Sequence, residues 1–320
     1  MNILIILDPL VSIKTVKDTT YSMMRAAVAR GHSISVCEIG DLSYQSTAVS
    51  GERVSALCQS LTLKADPIDW YEVNEPAEQA LAGFDAVLMR TDPPFDMEYV
   101  YATYMLQCAE REGARVFNSP QAIRDHNEKF AIAGYPDLTA PTLVTRSPRR
   151  LREFVIEHKR AIFKLLDGMG GTSIFQARDD DPNLSVIIET MNEFGRVSVM
   201  AQRFLPEIKD GDKRILLIGG KVVPHALARI PAKGEVRGNM AAGGKPVAQP
   251  LSKSDLRIAE RLAPELWAKR LFLVGLDVIG ESVTEINVTS PTGFQEIFNQ
   301  TGFDVAGMFV EGLEQAVAQS

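Results

Sequence analysis

Two acidic residues and one amide interrupt an otherwise apolar stretch near the C-terminal end of the chain. Phe272-Leu273-Val274-Gly275-Leu276-Asp277-Val278-Ile279 is followed by Gly280-Glu281-Ser282 and then by Val283-Thr284-Glu285-Ile286-Asn287-Val288. Two short apolar segments about a glycine-containing triplet predict a β-hairpin. With a three-residue loop, Asp277 falls opposite Glu285. Side chains alternate along a strand, so Glu285 and Asn287 share a face. Facing carboxylates repel. A divalent cation between them removes that repulsion, and three hard oxygen ligands suit Mg²⁺, with Mn²⁺ as a substitute ion, bound jointly with phosphates. The competing reading, solvent-facing residues of an exposed sheet, is disfavoured by the apolar surroundings.

A second group suggests the phosphates. Ala161 to Leu166 has the pattern of a short apolar strand interrupted by Lys164, and it runs into Asp167-Gly168-Met169-Gly170-Gly171-Thr172-Ser173. Glycines let backbone N–H groups approach phosphate oxygens, and a neighbouring lysine adds a point charge. No Lys-Ser or Lys-Thr closes the glycine run, so the loop is not a Walker motif. A strand rather than a helix is predicted to follow, which argues against a dinucleotide fingerprint. Taken alone, the loop reads equally well as an ordinary glycine-rich hairpin.

Arg214 and Arg229 are predicted on adjacent strands of a hairpin turning at Gly219-Gly220. Guanidinium groups bind carboxylate and phosphate in planar, bidentate fashion. Arg229 lies among Leu227, Ala228 and Ile230, which argues against a casual surface position. Residues 232–245 form a glycine-punctuated stretch with Arg237 near its middle, and long loops of that kind beside a site often act as lids. Arg90 and Asp92 follow a predicted parallel strand, at the edge where α/β sheets bind ligands. The histidines, His32, His126, His158 and His225, form no pair with metal or triad spacing. Cys37, Cys58 and Cys108 form neither a zinc pattern nor a disulfide framework and read as buried or incidental thiols.

The elements that must position these groups are legible in outline. Residues 2–7 and 33–38 read as strands joined by a helix over roughly 17–30, a βαβ unit and hence a parallel sheet. A strand at 85–89, a helix over about 97–112 and a strand at 115–117 complete an N-terminal α/β unit. The stretch from about 40 to 81 carries no clear pattern. Ser147-Pro148 marks a helix start. The lysine strand, the glycine loop, a helix near 182–193 and a strand at 197–202 follow. Then come the arginine hairpin, a helix from about Ser254 that Pro264 is expected to interrupt, and the acidic hairpin. Lys129 is expected in a helix and on its own would be a surface residue.

The chain has 320 residues, 45% hydrophobic and 23% charged, an ordinary globular composition with room for two or three compact units. A formal charge of −7 argues against a nucleic-acid binder. The first apolar run lacks a basic region before it and a cleavage site after it, so it reads as a strand rather than a signal peptide. No apolar run approaches the ~20 residues of a membrane span.

The order Asn127-Glu128-Lys129, Lys164, Asp167-Gly-Met-Gly-Gly171, Asp277 and Glu285-Ile286-Asn287-Val288-Thr289-Ser290-Pro291-Thr292 resembles the ATP-grasp superfamily. Within it the chain is similar to bacterial glutathione synthetases, with further matching stretches at 89–96, 209–214, 227–231 and 237–244. The resemblance runs from the first strand to about Ala316. A proline is expected where Leu165 stands and a lysine where Thr91 stands; neither is a presumed ligand position. The resemblance implies an α/β fold, α+β in its C-terminal part. An N-terminal parallel-sheet domain over 1–122 would precede a central ATP-grasp lobe over 123–200 and a C-terminal lobe over 201–320 with its lid at 232–245. It implies ATP held by Lys129, Lys164, Gly168, Gly170, Gly171, Gln202, Arg203, Leu205 and Asp212, the last accepting from the ribose hydroxyls. It further implies metal bound by Asp277, Glu285 and Asn287. Arg214, Arg229 and Arg237 would serve the transferred phosphoryl group or the acceptor carboxylate, and Arg90, Asp92, Ser290, Pro291 and Thr292 the substrate. The implied activity joins γ-glutamylcysteine to glycine with ATP, in a cytoplasmic homo-oligomer, a tetramer by resemblance. Another ATP-grasp carboxylate–amine ligase with a different acceptor is the nearest alternative. A non-catalytic ATP-binding regulator is an alternative of another class. A nicotinamide dehydrogenase would need glycines where Asp8-Pro9-Leu10-Val11 stands.

Overall fold

A computed structural model describes residues 1–47, 51–168, 174–232 and 243–319. Its first sheet grows from the βαβ unit. Strand Asn2–Ile6 pairs in parallel with Ser33–Cys37 on one side and Ala86–Met89 on the other, and Val116–Phe117 adds a further parallel edge. Alternation splits the first strand between two cores. Leu4 and Ile6 pack with Leu106 and Ala109 of helix Met97–Arg111. Ile3 and Ile5 pack with Met23, Met24 and Ala27 of helix Thr19–Ala29 and with Phe309, Val310, Leu313 and Ala316 of the last helix, Val305–Ala318. Asp18 caps helix Thr19–Ala29 and Asp96 caps helix Met97–Arg111. Arg30 and His32 both meet Glu314, which ties the first turn-back of the chain to its final helix.

The patternless stretch becomes antiparallel structure. Leu42–Thr47 and Gly51–Leu63 form a hairpin, and the long second strand also pairs with Ser33–Cys37, Tyr71–Val73 and Ala77–Ala80. Cys37 and Cys58 meet across this junction, both buried and both free thiols.

A second sheet has the order Phe175–Arg178, Arg160–Leu165, Val199–Arg203, Thr142–Thr145, all antiparallel. Ala161 and Phe163 point into a core with helices Pro148–His158 and Leu184–Met191. Ile162 and Lys164 therefore face the opposite way. The third sheet runs Lys245–Pro250, Lys221–Ile230, Asp212–Ile218, Leu273–Ile279, Ser282–Asn287, again antiparallel. Helix Lys253–Ala268 covers one face through Ile258, Leu262 and Leu266. The helix does not break at Pro264. Both Pro264 and Glu260, whose carbonyl loses its usual partner, are exposed, so water satisfies the orphan group. Among the described residues no helix is long and apolar enough to cross a membrane.

The acidic hairpin reaches the expected pairing by a different route. Its turn has two residues, Gly280 and Glu281, with Ile279 opposite Ser282. That register alone would bring Thr284 opposite Asp277. A bulge at this point restores the Asp277–Glu285 pair, and the Thr284 hydroxyl donates to the Asp277 carbonyl.

Candidate functional site

The second and third sheets face each other across a cleft. Its outer part is apolar and is lined by Ala140, Ile162, Phe204, Leu205, Ile208 and Ile279. Gln202 lies opposite Ile162 in the sheet and is held by Thr142, while Arg203 is exposed at the rim. Such a slot, apolar with backbone edges at one side, is suited to a flat heterocycle.

The base of the cleft is ionic. Arg214 stands beside Asp277 in register, and Asp212 beside Arg229. Asp277 accepts from Arg214 Nε at 2.5 Å and from its terminal nitrogen at 3.1 Å, and Arg229 lies 2.8 Å away. Arg229 also donates to Asp212. Lys164, from the facing sheet, approaches Glu285 at 3.4 Å. Three carboxylates and three cations therefore form a charge-balanced network, with Lys164, Arg214, Arg229 and Asp277 buried and Asp212 and Glu285 half-buried. The Asp277–Glu285 repulsion expected from sequence is absent in this arrangement, because Asp277 is held by two arginines.

Position within the network sets the ionisation of Asp277 and of Asp212. Burial alone would raise the Asp277 carboxyl, but Arg214 and Arg229 outweigh it and hold the group well below the usual carboxylate range. Asp212 gets only the remainder of Arg229. Burial and the fields of Asp277 and Glu285 push it up to about 6. Its Oδ1 is buried without a partner, an acceptor waiting at the cleft wall for a hydroxyl donor. Burial tends to lower the Arg229 pKa, but the surrounding acids raise it further above its already high value.

The side-chain nitrogen of Asn287 donates to the Gly275 carbonyl at 3.1 Å, which leaves the amide oxygen as the atom that could meet a cation. Asp277, Glu285 and Asn287 thus supply hard oxygens on one sheet face, a donor set that fits Mg²⁺. Each Asp277 oxygen carries two lone pairs, so guanidinium contact does not exhaust its capacity.

Lys129 is not within an α-helix; it starts a short 3₁₀ turn, Phe130–Gly134. It is buried, with Nζ donating to the Gly168 carbonyl. Gly170, Gly171 and Arg237, with most of the 232–245 stretch, lie outside the described residues. At the other end of the cluster, buried Arg90 donates to Thr20 and to the Pro291 carbonyl, and its third nitrogen has no partner. Asp92 accepts from Ser290, and its own N–H donates to Asp8. Thr292 is exposed. The two groups touch through Gly275: a Cβ there would lie 2.8 Å from Arg214 Cδ and 2.9 Å from Pro291 Cβ. Of the apolar wall, sequence reasoning marked only Leu205. Ile162 could have been found, since it alternates with Lys164; Phe204 and Ile208 carry no comparable signal.

A nucleotide-shaped slot between two antiparallel sheets, beside a parallel-sheet unit, is the architecture of an ATP-grasp ligase. The family model for the prokaryotic glutathione synthetase N-terminal domain matches residues 1–124, and that for the ATP-grasp domain of the same enzymes matches 128–302. A glutathione synthetase of Ralstonia nicotianae is 57% identical over all of this chain and 97% of its own length. That of Nitrosomonas europaea is 54% identical over all of this chain and 99% of its own. Among solved structures, the ATP-grasp ligase PsnB with bound precursor peptide and AMPPNP superposes with a TM-score of 0.62 at 18% identity, covering 99% of this chain and 98% of that one. The D-cycloserine synthetase DcsG does so with 0.67 at 15%, covering 99% and 100%. These two share the fold. The chain is an ATP-dependent ligase of the ATP-grasp class, and it belongs to the prokaryotic glutathione synthetase family.

Proposed function

We propose that this chain joins γ-glutamylcysteine to glycine, at the expense of ATP, through an acyl phosphate. The observation that carries the reading is the charge-balanced network at the base of an apolar slot. Adenine occupies the slot between Ile162 and Ile208, with main-chain groups of 202–205 along its edge. The ribose hydroxyls donate to Asp212, whose buried Oδ1 otherwise lacks a partner. Lys129 and Lys164 face the phosphates.

Asp277, Glu285 and Asn287 would hold Mg²⁺, which when bound would supply neutralisation of phosphate charge. Phosphoryl transfer needs in-line placement and charge neutralisation more than covalent help. Arg214 and Arg229 supply both. Partly released from Asp277 when cation and nucleotide enter, they orient the transferred phosphoryl group. The cysteinyl carboxylate oxygen attacks the γ-phosphorus, and ADP leaves. The glycine amine then attacks the acyl carbon and loses a proton, and phosphate departs with one former carboxylate oxygen. Arg90, with an unpaired nitrogen, and the Asp92–Ser290–Pro291–Thr292 group lie where the peptide is held. Residues 1–122, 123–200 and 201–320 act as substrate, central and C-terminal units. We read the enzyme as cytoplasmic and homo-oligomeric.

Carboxylate-¹⁸O-labelled γ-glutamylcysteine should transfer one labelled oxygen to phosphate per ligation, and leucine should not replace glycine. Unlabelled phosphate, or equal rates with both amines, would overturn the mechanism.

A further inference from the structure

The strand carrying Glu285 and Asn287 does not hold its exit by its own sheet. Glu128 grips it on both sides of Asn287. Its main-chain carbonyl accepts from Ile286 N at 2.8 Å. Its carboxylate Oε1 accepts from Val288 N at 2.9 Å, Thr289 N at 3.1 Å and the Thr289 hydroxyl at 2.8 Å. Two successive N–H groups and a hydroxyl converging on one oxygen make an anion cradle, here filled by a side chain of the protein itself. Asn118 takes the other side of Val288, donating to its carbonyl at 2.7 Å while bonding both main-chain groups of Leu273.

The next residue after Glu128 is Lys129, whose Nζ reaches Gly168. Beyond Thr289 come Ser290 and Pro291, bonded to Asp92 and Arg90. Glu128 therefore stands where three parts of the site meet: a lysine facing the phosphates, the outer ligand strand and the peptide-holding segment.

We infer that Glu128 is a positioning residue for the ligase reaction, fixing Asn287 and Glu285 relative to Lys129 through the cradle at Val288–Thr289. This rests on the site assignment proposed above. The side chain touches no reacting atom. Its effect is on where the ligand oxygens stand when metal and nucleotide arrive together. Glu128→Gln keeps the size of the side chain but replaces the ionised acceptor by a neutral amide. Thr289→Val removes one of the three donors, and Thr289→Ser retains it.

The test is calorimetric titration of a non-hydrolysable ATP analogue into the intact enzyme across a Mg²⁺ series, with turnover measured alongside. Glu285→Gln serves as the control for the metal site. Glu128→Gln should raise the Mg²⁺ concentration for half-maximal analogue binding about tenfold, with metal-free binding of the analogue little changed. Thr289→Val should give a smaller shift that does not add to the first, since both changes act on one cradle. Thr289→Ser should restore wild-type behaviour. A Glu128→Gln enzyme with an unchanged Mg²⁺ requirement, beside a Glu285→Gln enzyme with a raised one, would overturn the positioning role alone. The same holds if the shifts of Glu128→Gln and Thr289→Val simply add. An unchanged Glu285→Gln enzyme would overturn the metal assignment and the positioning role with it.

Discussion

Replacing Asp277 by Asn tests the ionic network directly. In the sequence alone, Asp277 and Glu285 look like two repelling carboxylates, so neutralising one should stabilise the metal-free protein. The structure reverses that expectation. Both Asp277 oxygens are taken by guanidinium groups, with contacts at 2.5, 2.8 and 3.1 Å, and all three residues are buried. Asparagine keeps one acceptor oxygen but turns an NH₂ donor toward the arginines and leaves the network one positive charge in excess. Breaking a buried pair by removing one partner costs about 3–5 kcal/mol. Arg229 retains Asp212, which puts the expected cost near the lower end, about 3 kcal/mol. At an unfolding entropy of about 2.1 cal/mol/K per residue, a 320-residue chain shifts by roughly 1.5 °C per kcal/mol, so the melting temperature should fall by about 4–5 °C. The assay is thermal unfolding of the metal-free and nucleotide-free protein, with turnover measured in parallel and expected to drop by orders of magnitude. The pH dependence supplies a second check. The folded-state pKa of Asp277 lies below its unfolded value of 3.8, so its contribution is fully present above that value and is lost as the pH falls below it. The gap between wild type and variant should narrow as the pH falls from about 4 toward 3, where Asp277 itself becomes protonated. A variant that melts at or above the wild-type temperature at pH 7 would refute the pairing.

Three further outcomes follow from neighbouring residues. Asp212 has the opposite linkage: its folded-state pKa is raised to about 6 from 3.8, so ionising it in the folded state costs stability as the pH rises through that window. The stability of Asp212→Asn relative to wild type should therefore improve between pH 4 and 6, and urea unfolding at the two ends measures it. Gly275→Ala places a methyl group against Arg214 and Pro291, so it should cost about 1–3 kcal/mol and lower turnover, with both effects read on the same preparation. Arg90 is a buried cation whose pKa burial depresses and whose third nitrogen is unpaired. Arg90→Met should hold or raise stability, by up to about 3 kcal/mol, while the KM for the peptide rises; a normal KM would remove Arg90 from the substrate site.

Period-two alternation made much of the site legible. It gave one face to Glu285 and Asn287, placed Arg214 and Arg229 on paired strands, and marked Lys164 as the odd residue of an apolar strand. The errors have local causes. The hairpin loop was counted as three residues because a bulge cannot be seen in a residue pattern. Pro264 was read as a helix break because burial of the opposite face, which holds the helix together, is a tertiary fact. The stretch from 40 to 81 was opaque because its strands pair at the edge of a parallel sheet and alternate weakly. Cys37 and Cys58 are buried free thiols, as the sequence suggests, but their meeting depends on strand pairing that the spacing does not show. Glu128 stood in the matched Asn127-Glu128-Lys129 run with no role assigned, and Asn118 gave no signal, for a more general reason. Each acts by bonding the main chain of a segment more than a hundred residues away, and main-chain groups leave no mark on the sequence of their partner.

The last helix closes the core begun by the first strand. Ile3, Ile5, Met23 and Met24 share one cluster with Phe309, Val310 and Leu313, and Glu314 is clasped by Arg30 and His32. During synthesis the strand and helix around Ile3 and Met23 are made well before the helix that covers them. At about 5–20 residues per second, the interval is on the order of ten seconds to a minute. For that time the nascent N-terminal unit carries an uncovered apolar face, so it cannot mature while the chain is still growing. Chains that stop early would keep that face open, which gives the cell's quality control a physical means of telling an unfinished enzyme from a complete one.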